Sequence, residues 1–210
     1  MTEYLVPYAS AESEFEEKRS RFISHVFLVE SEAEARARID EMKKKYYDAR
    51  HNCWCYVLHE GGVVRYGDDG EPQGTAGQPM LNVFQREGVE NVVCVVTRYF
   101  GGILLGAGGL LRAYTKSAKD ALDAAGISVV RRWVETALDC SYAAAEKLKQ
   151  EITAFGGIVA GLDYGAAVTI HAYIPEESAE DFKARIFDVS AGGVTVRVTG
   201  EDFRAVPRVK

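Results

Sequence analysis

Residues 92–112 read VVCVVTRYFGGILLGAGGLLR, and this stretch gives the strongest indication of how the first part of the chain folds. Its first five residues are all apolar, which is typical of a strand covered on both faces rather than on one. The glycines that follow predict a tight loop, because glycine adopts backbone conformations that other residues avoid. A long helix is expected to begin near Gly109, so the stretch predicts a layer of strand and helix.

The helix after this loop is predicted to be amphipathic. Its apolar face is expected to hold the residues that recur at helical spacing: Leu111, Tyr114, Ala118, Leu122 and Ala125. Another side carries a basic stripe made of Arg112, Lys116 and Lys119. The two sides predict a helix that packs against the sheet and keeps positive charge away from the core.

Earlier residues predict three further elements. These are a strand at residues 21–29, a helix that begins at Ser31, and a hairpin of two strands at residues 53–58 and 63–66. Ser31 and Glu34 have the spacing of a capping box, in which a short polar side chain satisfies free backbone amides at a helix start. Thr75 begins a second such box with Gln78, so it is the predicted N-cap of the next helix. Gly88 is the predicted end of that helix.

The second half of the chain predicts a separate domain. Its elements are strand, helix, two strands as a hairpin, helix and strand, at residues 133–140, 142–155, 158–164, 167–174, 178–189 and 194–198. This β-α-β-β-α-β order is that of a ferredoxin-like domain. The boundary is predicted between residues 126 and 132, which divides the chain into domains 1–131 and 132–210.

Composition limits the function classes. The chain has 210 residues, 47% of them hydrophobic, and its net charge is −6. That charge disfavours a strongly basic, sequence-independent nucleic-acid binder, so any such surface is expected to be a local patch. The first residues do not resemble a signal peptide, and no apolar run reaches the length of a membrane span, so a cytoplasmic protein without a membrane partner is expected.

The four cysteines lie in apolar or alternating runs, as expected for buried thiols in a reducing compartment. Cys53 and Cys55 are separated by one residue, whereas zinc knuckles need two or more. The same alternation puts both thiols on one buried face, so neither is a good nucleophile candidate. His51 could act as a general base near carboxylates, or it could be a structural hydrogen-bonding residue.

The first candidate site is the loop at residues 68–77, which contains Asp68, Asp69 and Glu71. These carboxylates are weak candidates for binding a divalent cation. Alternatively, the backbone amides of Gly74, Thr75, Ala76 and Gly77 could hold an anion at the helix start. A third interpretation needs no ligand, since acidic side chains near a helix N-terminus stabilise it by about 0.3–1 kcal/mol.

The second candidate site is the glycine-rich loop after the buried strand. Its predicted anion-binding residues are Arg98, Tyr99, Gly101, Gly102, Gly106, Gly108, Gly109 and Arg112. Lys18, Arg19, Arg21 and Lys116 are possible nucleic-acid contacts that extend this surface. The alternative is a tight turn in which Arg98 pairs internally with Asp68, Asp69 or Glu71.

Two nucleotide-binding motifs are absent from this loop. No Gly-Lys-Ser/Thr follows at the offset of a P-loop, so the lysine that would reach a terminal phosphate is missing. Leu111 stands where the third glycine of a dinucleotide fingerprint would be. ATP and NAD are therefore disfavoured, and no cofactor or catalytic residue is predicted.

Several motifs together resemble the IMPACT/YigZ family. They are KRSRFI at 18–23, HNCW at 51–54, DDGEP at 68–72, GTAG at 74–77, RYFGG at 98–102 and GAGGL at 106–110. The similarity extends over essentially the whole chain, although Gln73 stands where family members often carry a serine. The resemblance implies an α+β protein with an N-terminal domain like the second domain of ribosomal protein S5 and a C-terminal ferredoxin-like domain.

The same resemblance implies a link to translational control. The eukaryotic members of the family act on the sensing of amino-acid starvation through an additional N-terminal domain, which is not expected in this chain. The leading hypothesis is a non-enzymatic regulator that binds RNA or the ribosome through the glycine-rich, arginine-bearing surface. The alternatives are an enzyme or small-ligand protein that uses Asp68, Asp69 and Glu71, and a module that binds a protein partner on the open sheet of the ferredoxin-like domain.

Overall fold

The first part of the chain is built on a five-stranded antiparallel sheet with helices on both faces. The computed structural model describes residues 3–207 and divides into two compact units, Tyr4–Val130 and Arg131–Arg204. The strands of the first unit are β1 (Tyr4–Pro7), β2 (Ala11–Glu17), β3 (Ser20–Leu28), β4 (His51–Val57), β5 (Val64–Gly67) and β6 (Val92–Tyr99). Its helices are α1 (Glu32–Lys45), α2 (Gly77–Glu87) and α3 (Gly106–Ala125).

The sheet order is β2-β3-β6-β4-β5, which puts β6 at the centre. Alternate residues of β6 belong to different cores: Val92, Cys94 and Val96 pack with α2 and α3, and Val93 and Val95 pack with α1. All five side chains are fully buried, which confirms the prediction from residues 92–96. β1 lies outside this sheet and pairs with residues 127–130 of the strand β7 (Ile127–Cys140).

The second unit has the ferredoxin-like topology. Its strands are the remainder of β7, β8 (Ile158–Tyr164), β9 (Val168–Pro175) and β10 (Val196–Pro207), and its helices are α4 (Tyr142–Ala154) and α5 (Ala179–Val189). The strands are ordered β10-β7-β9-β8, and both helices pack on one face of the sheet. The predicted β-α-β-β-α-β order is therefore confirmed, although β7 begins earlier than Trp133 and β10 continues beyond Val198.

Other details of the sequence prediction were wrong. The strands β1 and β2 were not predicted. The sequence of β2, AESEFEE, is mostly acidic and lacks the apolar, β-branched residues that indicate a strand, and β2 lies at one edge of the sheet. Helix α3 begins at Gly106 rather than near Gly109. Four of the five residues predicted for the apolar face of α3 are buried, namely Tyr114, Ala118, Leu122 and Ala125. The prediction was wrong only at Leu111, which is 47% exposed, whereas its neighbour Leu110 is 5% exposed.

The four cysteines are buried and free, as their sequence context indicated. Among the residues that the structure describes, no helix is both long enough and apolar enough to cross a membrane.

The apolar face of α3 is tested by a matched pair of leucine variants, one at a buried position and one at an exposed position. Leu122→Ala is expected to lower the free energy of unfolding by about 2–5 kcal/mol, because it removes a fully buried side chain. Leu111→Ala is expected to change it by less than about 0.5 kcal/mol, since its side chain is already half-exposed. Urea denaturation followed by circular dichroism measures both, and equal losses would contradict the observed face.

Candidate functional site

A buried ion pair lies where β6 ends. The Nη1 atom of Arg98 donates to Oε1 of Glu71 at 2.6 Å, and the two side chains are 6% and 4% exposed. The hydroxyl of Tyr114 on α3 donates to the same carboxylate oxygen at 2.9 Å. Arg98 Nη2 also donates to Ser20 Oγ at 3.3 Å. Glu71 thus joins its loop to the central strand and to α3.

Asp68 supplies the N-cap of α2 from a distance. Its carboxylate accepts hydrogen bonds from the backbone amides of Gly74 at 2.8 Å, Ala76 at 3.2 Å and Gly77 at 2.8 Å. The predicted N-cap role of Thr75 was wrong, since its hydroxyl donates to the Pro72 carbonyl at 2.6 Å. The chain's own carboxylate therefore occupies three of the amides that the sequence offered as an anion site.

The three carboxylates of this loop have separate structural partners. The Asp69 carboxylate accepts hydrogen bonds from Lys43 Nζ and from the backbone amide of Asn52, each at 2.7 Å. Asp68 caps α2, and Glu71 pairs with Arg98. No group of three or more His, Cys, Asp or Glu side chains within residues 3–207 is arranged to hold a metal ion. The cation interpretation of this loop therefore lacks a donor set, because each acid is already committed to the fold.

His51 has a structural hydrogen bond. Its Nδ1 lies 2.9 Å from the Asp69 carbonyl oxygen, and its Nε2 lies 4.0 Å from Glu71 Oε1. Cys53 is fully buried, and its Sγ donates to the Asp68 carbonyl at 3.0 Å. Burial raises the pKa of the Cys53 thiol and of the Tyr114 hydroxyl far above their ordinary values, so both groups stay protonated. The Cys53 thiol is therefore a poor nucleophile.

A cavity of about 420 Å³ opens beside the ion pair. Arg98, Glu71 and His51 line it together with Gly106 and Ala107 from the first turn of α3. Apolar lining comes from a group that includes Phe100, Leu104, Leu105 and Leu110, and Arg50 is exposed at its edge. The carboxylate network, the strand end and the helix start thus meet at one concave place, which the sequence could not show.

No side chain in the part of the chain that the structure describes caps the N-terminus of α3. Its N-cap residue is Leu105, which carries no polar group, and its first turn contains no acidic residue. Gly106 has a φ of +70°, and no atom lies within 4 Å of a Cβ built there. Free amides and the positive end of the helix dipole therefore lie at the cavity wall.

The other predicted glycines differ in their roles. A Cβ at Gly101 would lie 2.0 Å from the backbone carbon of Arg19, so glycine there permits close packing of two loops. The Gly101 amide also donates to Ser20 Oγ at 3.2 Å. Gly102 is open and has a φ of +85°, while a Cβ at Gly109 would press on Leu105 at 3.1 Å. Of these three, Gly101 and Gly109 serve packing.

A second depression, of about 270 Å³, brings together three of the predicted cations. Lys18, Arg112 and Lys116 line it together with the acidic Glu17, and Leu105 is shared with the larger cavity. Within the described part of the chain, no carboxylate forms an ion pair with Lys18, Arg19 or Arg112. Lys116 by contrast pairs with Asp120 and lies 4.9 Å above the Phe15 ring.

Two predicted contacts are held elsewhere. Arg21 forms a two-point ion pair with Glu14, with its closer contact at 2.6 Å. The Tyr99 hydroxyl donates to Asp48 at 2.8 Å. Neither arrangement presents a free group to the cavity or to the second depression.

Sequence reasoning missed the apolar part of the site. Phe100, Ile103 and Leu104 are 41%, 44% and 82% exposed, an unusual amount of apolar surface for one loop. The sequence did contain an indication of this apolar surface. Large apolar residues lie between the glycines of this loop, and a simple turn would not need them. Arg50 was also missed, because nothing in its spacing ties it to a loop that is distant in sequence.

These observations describe an α+β protein of two units. Its first unit combines a buried arginine with a helix start and surface cations that have, within residues 3–207, no capping side chain and no carboxylate partner respectively. Comparison with known proteins then shows the family. The model of the Impact N-terminal domain matches residues 18–122, and a domain of unknown function, DUF1949, matches residues 138–192. The chain belongs to the IMPACT family.

Whole-length relatives agree with this assignment. The chain is 36% identical to the IMPACT family member YvyE of Bacillus subtilis, over 90% of this chain and 88% of that protein. It is 32% identical to the IMPACT family member YigZ of Escherichia coli, over 92% and 97% of the two chains. A solved structure titled as that of a hypothetical protein superposes with a TM-score of 0.60 at 32% identity, covering 95% of this chain and 98% of the other.

Similarity to the eukaryotic members covers less than half of this chain. The IMPACT homolog of Dictyostelium discoideum is 39% identical over 95 residues, which are 43% of this chain but only 27% of that protein. The parts of such proteins outside the matched segment have no counterpart in this similarity. What they bind is therefore not transferred to this chain.

The role of the ion pair in the fold is tested by breaking it from one side and then from both. Glu71→Leu is expected to lower the free energy of unfolding by about 3–5 kcal/mol, because it leaves the Arg98 guanidinium buried without a counter-ion. Glu71→Leu with Arg98→Met is expected to be less destabilised than Glu71→Leu alone. Urea denaturation of wild type, Glu71→Leu, Arg98→Met and the double variant measures the double-mutant cycle, and strictly additive losses would contradict the coupling.

Proposed function

We propose that this protein is a translation-associated regulator that binds RNA or the ribosome, in the cytoplasm, through one face of its first unit. That face, called the basic face here, consists of Lys18, Arg19, Arg112, Lys116 and the loop at residues 100–105. It adjoins the uncapped start of α3. IMPACT family membership supports the link to translation, and the geometry of this face supports the ligand.

The observation that carries the proposal is that three cations of this face, Lys18, Arg19 and Arg112, have no carboxylate partner within residues 3–207. Lys18 on the β2–β3 turn and Arg112 on α3 line one depression although they are far apart in sequence. Many surface cations elsewhere in the chain pair with neighbouring carboxylates, as Lys119 does with Glu87 and Asp123. Cations left free in one place are available to phosphates, which supply much of the affinity for nucleic acid.

The exposed apolar loop suits single-stranded or looped RNA. The side chain of Phe100 is partly exposed to solvent, and those of Ile103 and Leu104 in the same loop are exposed as well. Aromatic and apolar side chains next to cations are the usual means of holding unstacked bases, because every base has a flat apolar face. The basic face therefore fits an RNA strand with accessible bases better than a regular duplex.

The net charge of −6 sets the strength and character of this binding. The overall field does not attract a polyanion, so affinity has to come from a few local contacts. Such binding is expected to be modest and to weaken steeply with salt. Arg98 is not counted in this face, because it is 5% exposed, is held by Glu71 and lines the adjoining cavity.

The proposal is tested with Lys18→Gln and Arg112→Gln combined. The double variant is expected to bind single-stranded RNA or ribosomes about tenfold more weakly at low salt, because it removes two charge-assisted contacts. The slope of log affinity against log salt is expected to become shallower by roughly 1.4, at about 0.7 for each lost contact to a single strand. Fluorescence anisotropy with labelled RNA and ribosome co-sedimentation provide the two measurements.

The matched control is Arg36→Gln with Lys44→Gln, which removes the same charge from exposed positions on α1. This control is expected to keep wild-type affinity and salt slope, because α1 packs on the opposite face of the sheet from α3. Equal weakening by both double variants would refute a localised face. Ribosome binding that persists unchanged in high salt would instead indicate a protein partner.

A further inference from the structure

We propose that the cavity at the start of α3 is a binding site for one nucleotide unit, with its phosphate at the helix N-terminus and its base against Phe100. This inference extends the proposed function from an exposed face to a defined pocket. It rests on that function only for the source of the nucleotide, since the pocket has its own geometry. Its parts are the free amides of α3, the side chains of Arg98 and Arg50, and an apolar wall.

The phosphate position is defined by donors that the protein leaves unused. The first turn of α3 has neither a side-chain cap nor an acidic residue, in contrast to α2, whose amides Asp68 occupies. Gly106 and Ala107 bring this turn to the cavity wall. A helix start with free amides and a positive dipole end is a general site for phosphate groups.

Arg98 gives a second, independent indication of an anion. It is 5% exposed and lines the cavity, and its Nη atoms are held by Glu71 and Ser20. Its Nε atom is buried and has no hydrogen-bond acceptor among the residues that the structure describes. A buried donor without a partner is costly in a folded protein. Because this Nε atom has almost no accessible surface, an anionic oxygen in the cavity would reach it through a small movement of the Arg98 side chain, and that contact would relieve the cost.

Charge balance favours a single phosphate over a polyphosphate. The charge of Arg98 is already balanced by Glu71 at 2.6 Å. The additional positive charge comes from Arg50, for which the described residues provide no ion-pair partner, and from the dipole of α3. This amount of charge matches one phosphate group.

The remaining lining suits a flat, largely apolar body attached to that phosphate. Phe100 is 41% exposed and carries the Arg98 guanidinium 5.7 Å from its ring centroid. Leu104, Leu105 and Leu110 complete the apolar wall, and the volume of about 420 Å³ is in the usual range for small-ligand pockets. A base stacked on Phe100 would use this wall, whereas inorganic phosphate alone would leave it empty.

The decisive variant is Ala107→Asp, compared with Ala107→Asn. Aspartate in the first turn places a negative charge beside the proposed phosphate and also suits the helix dipole, so the fold is expected to keep or raise its melting temperature. Isothermal titration with adenosine 5′-monophosphate is expected to show at least about tenfold weaker binding for Ala107→Asp. Ala107→Asn, of the same size but uncharged, is expected to remain close to wild type.

Arg50→Gln provides a second test at an exposed residue and is expected to weaken the same ligand about tenfold. Adenosine without phosphate, and inorganic phosphate without a base, are both expected to bind more weakly than the monophosphate. Equal affinity of Ala107→Asp and wild type for the monophosphate would overturn the proposal. Adenosine 5′-monophosphate binding no more tightly than inorganic phosphate would also overturn it.

The source of the nucleotide is decided with short oligoribonucleotides. If the pocket holds an RNA end, a 5′-phosphorylated strand binds more tightly than a 5′-hydroxyl strand, and Ala107→Asp removes the difference. If the ligand is a free nucleotide, the two strands bind alike while the monophosphate responds to Ala107→Asp. Lys18→Gln with Arg112→Gln is expected to spare the monophosphate, so loss of the basic face and loss of the pocket give different results.

Discussion

The ion pair between Arg98 and Glu71 is the interaction on which the candidate site depends. Arg98 ends the central strand, Glu71 belongs to the loop before α2, and Tyr114 of α3 donates to the same carboxylate oxygen. Three segments that are far apart in sequence are therefore held at one point. Because both charges are buried, removing either one alone is expected to cost much stability. The same two residues line the cavity, so the ion pair holds part of the cavity wall in place.

Two helix starts in this unit are treated in opposite ways. The start of α2 is closed by Asp68, so its glycine-containing loop is a self-sufficient structural element. The start of α3 follows Leu105 and has no such cap, although the surrounding loop contains more glycine. A free helix start next to a buried arginine is a place where a ligand can supply the missing cap. The difference between the two loops locates the site.

An acidic protein can present a basic face when its cations are left unpaired in one region. Lys18 and Arg112 do so beside the apolar loop at residues 100–105. The basic face and the proposed nucleotide pocket adjoin at Leu105, which lines both depressions. In the proposed arrangement, one RNA strand contacts the outer cations with its backbone and places a single nucleotide in the pocket.

The buried strand at residues 92–96, the ferredoxin-like order of the second half and the family could all be predicted from the sequence, because they depend on local periodicity and on motifs. The sequence also indicated Glu71 as one of three possible partners of Arg98. The folded structure was needed to show that Glu71 is that partner, that Asp68 occupies the amides near Gly74, and that a cavity opens at α3. Those outcomes depend on distances between segments remote in sequence, and neither hydrophobic periodicity nor residue spacing encodes such distances.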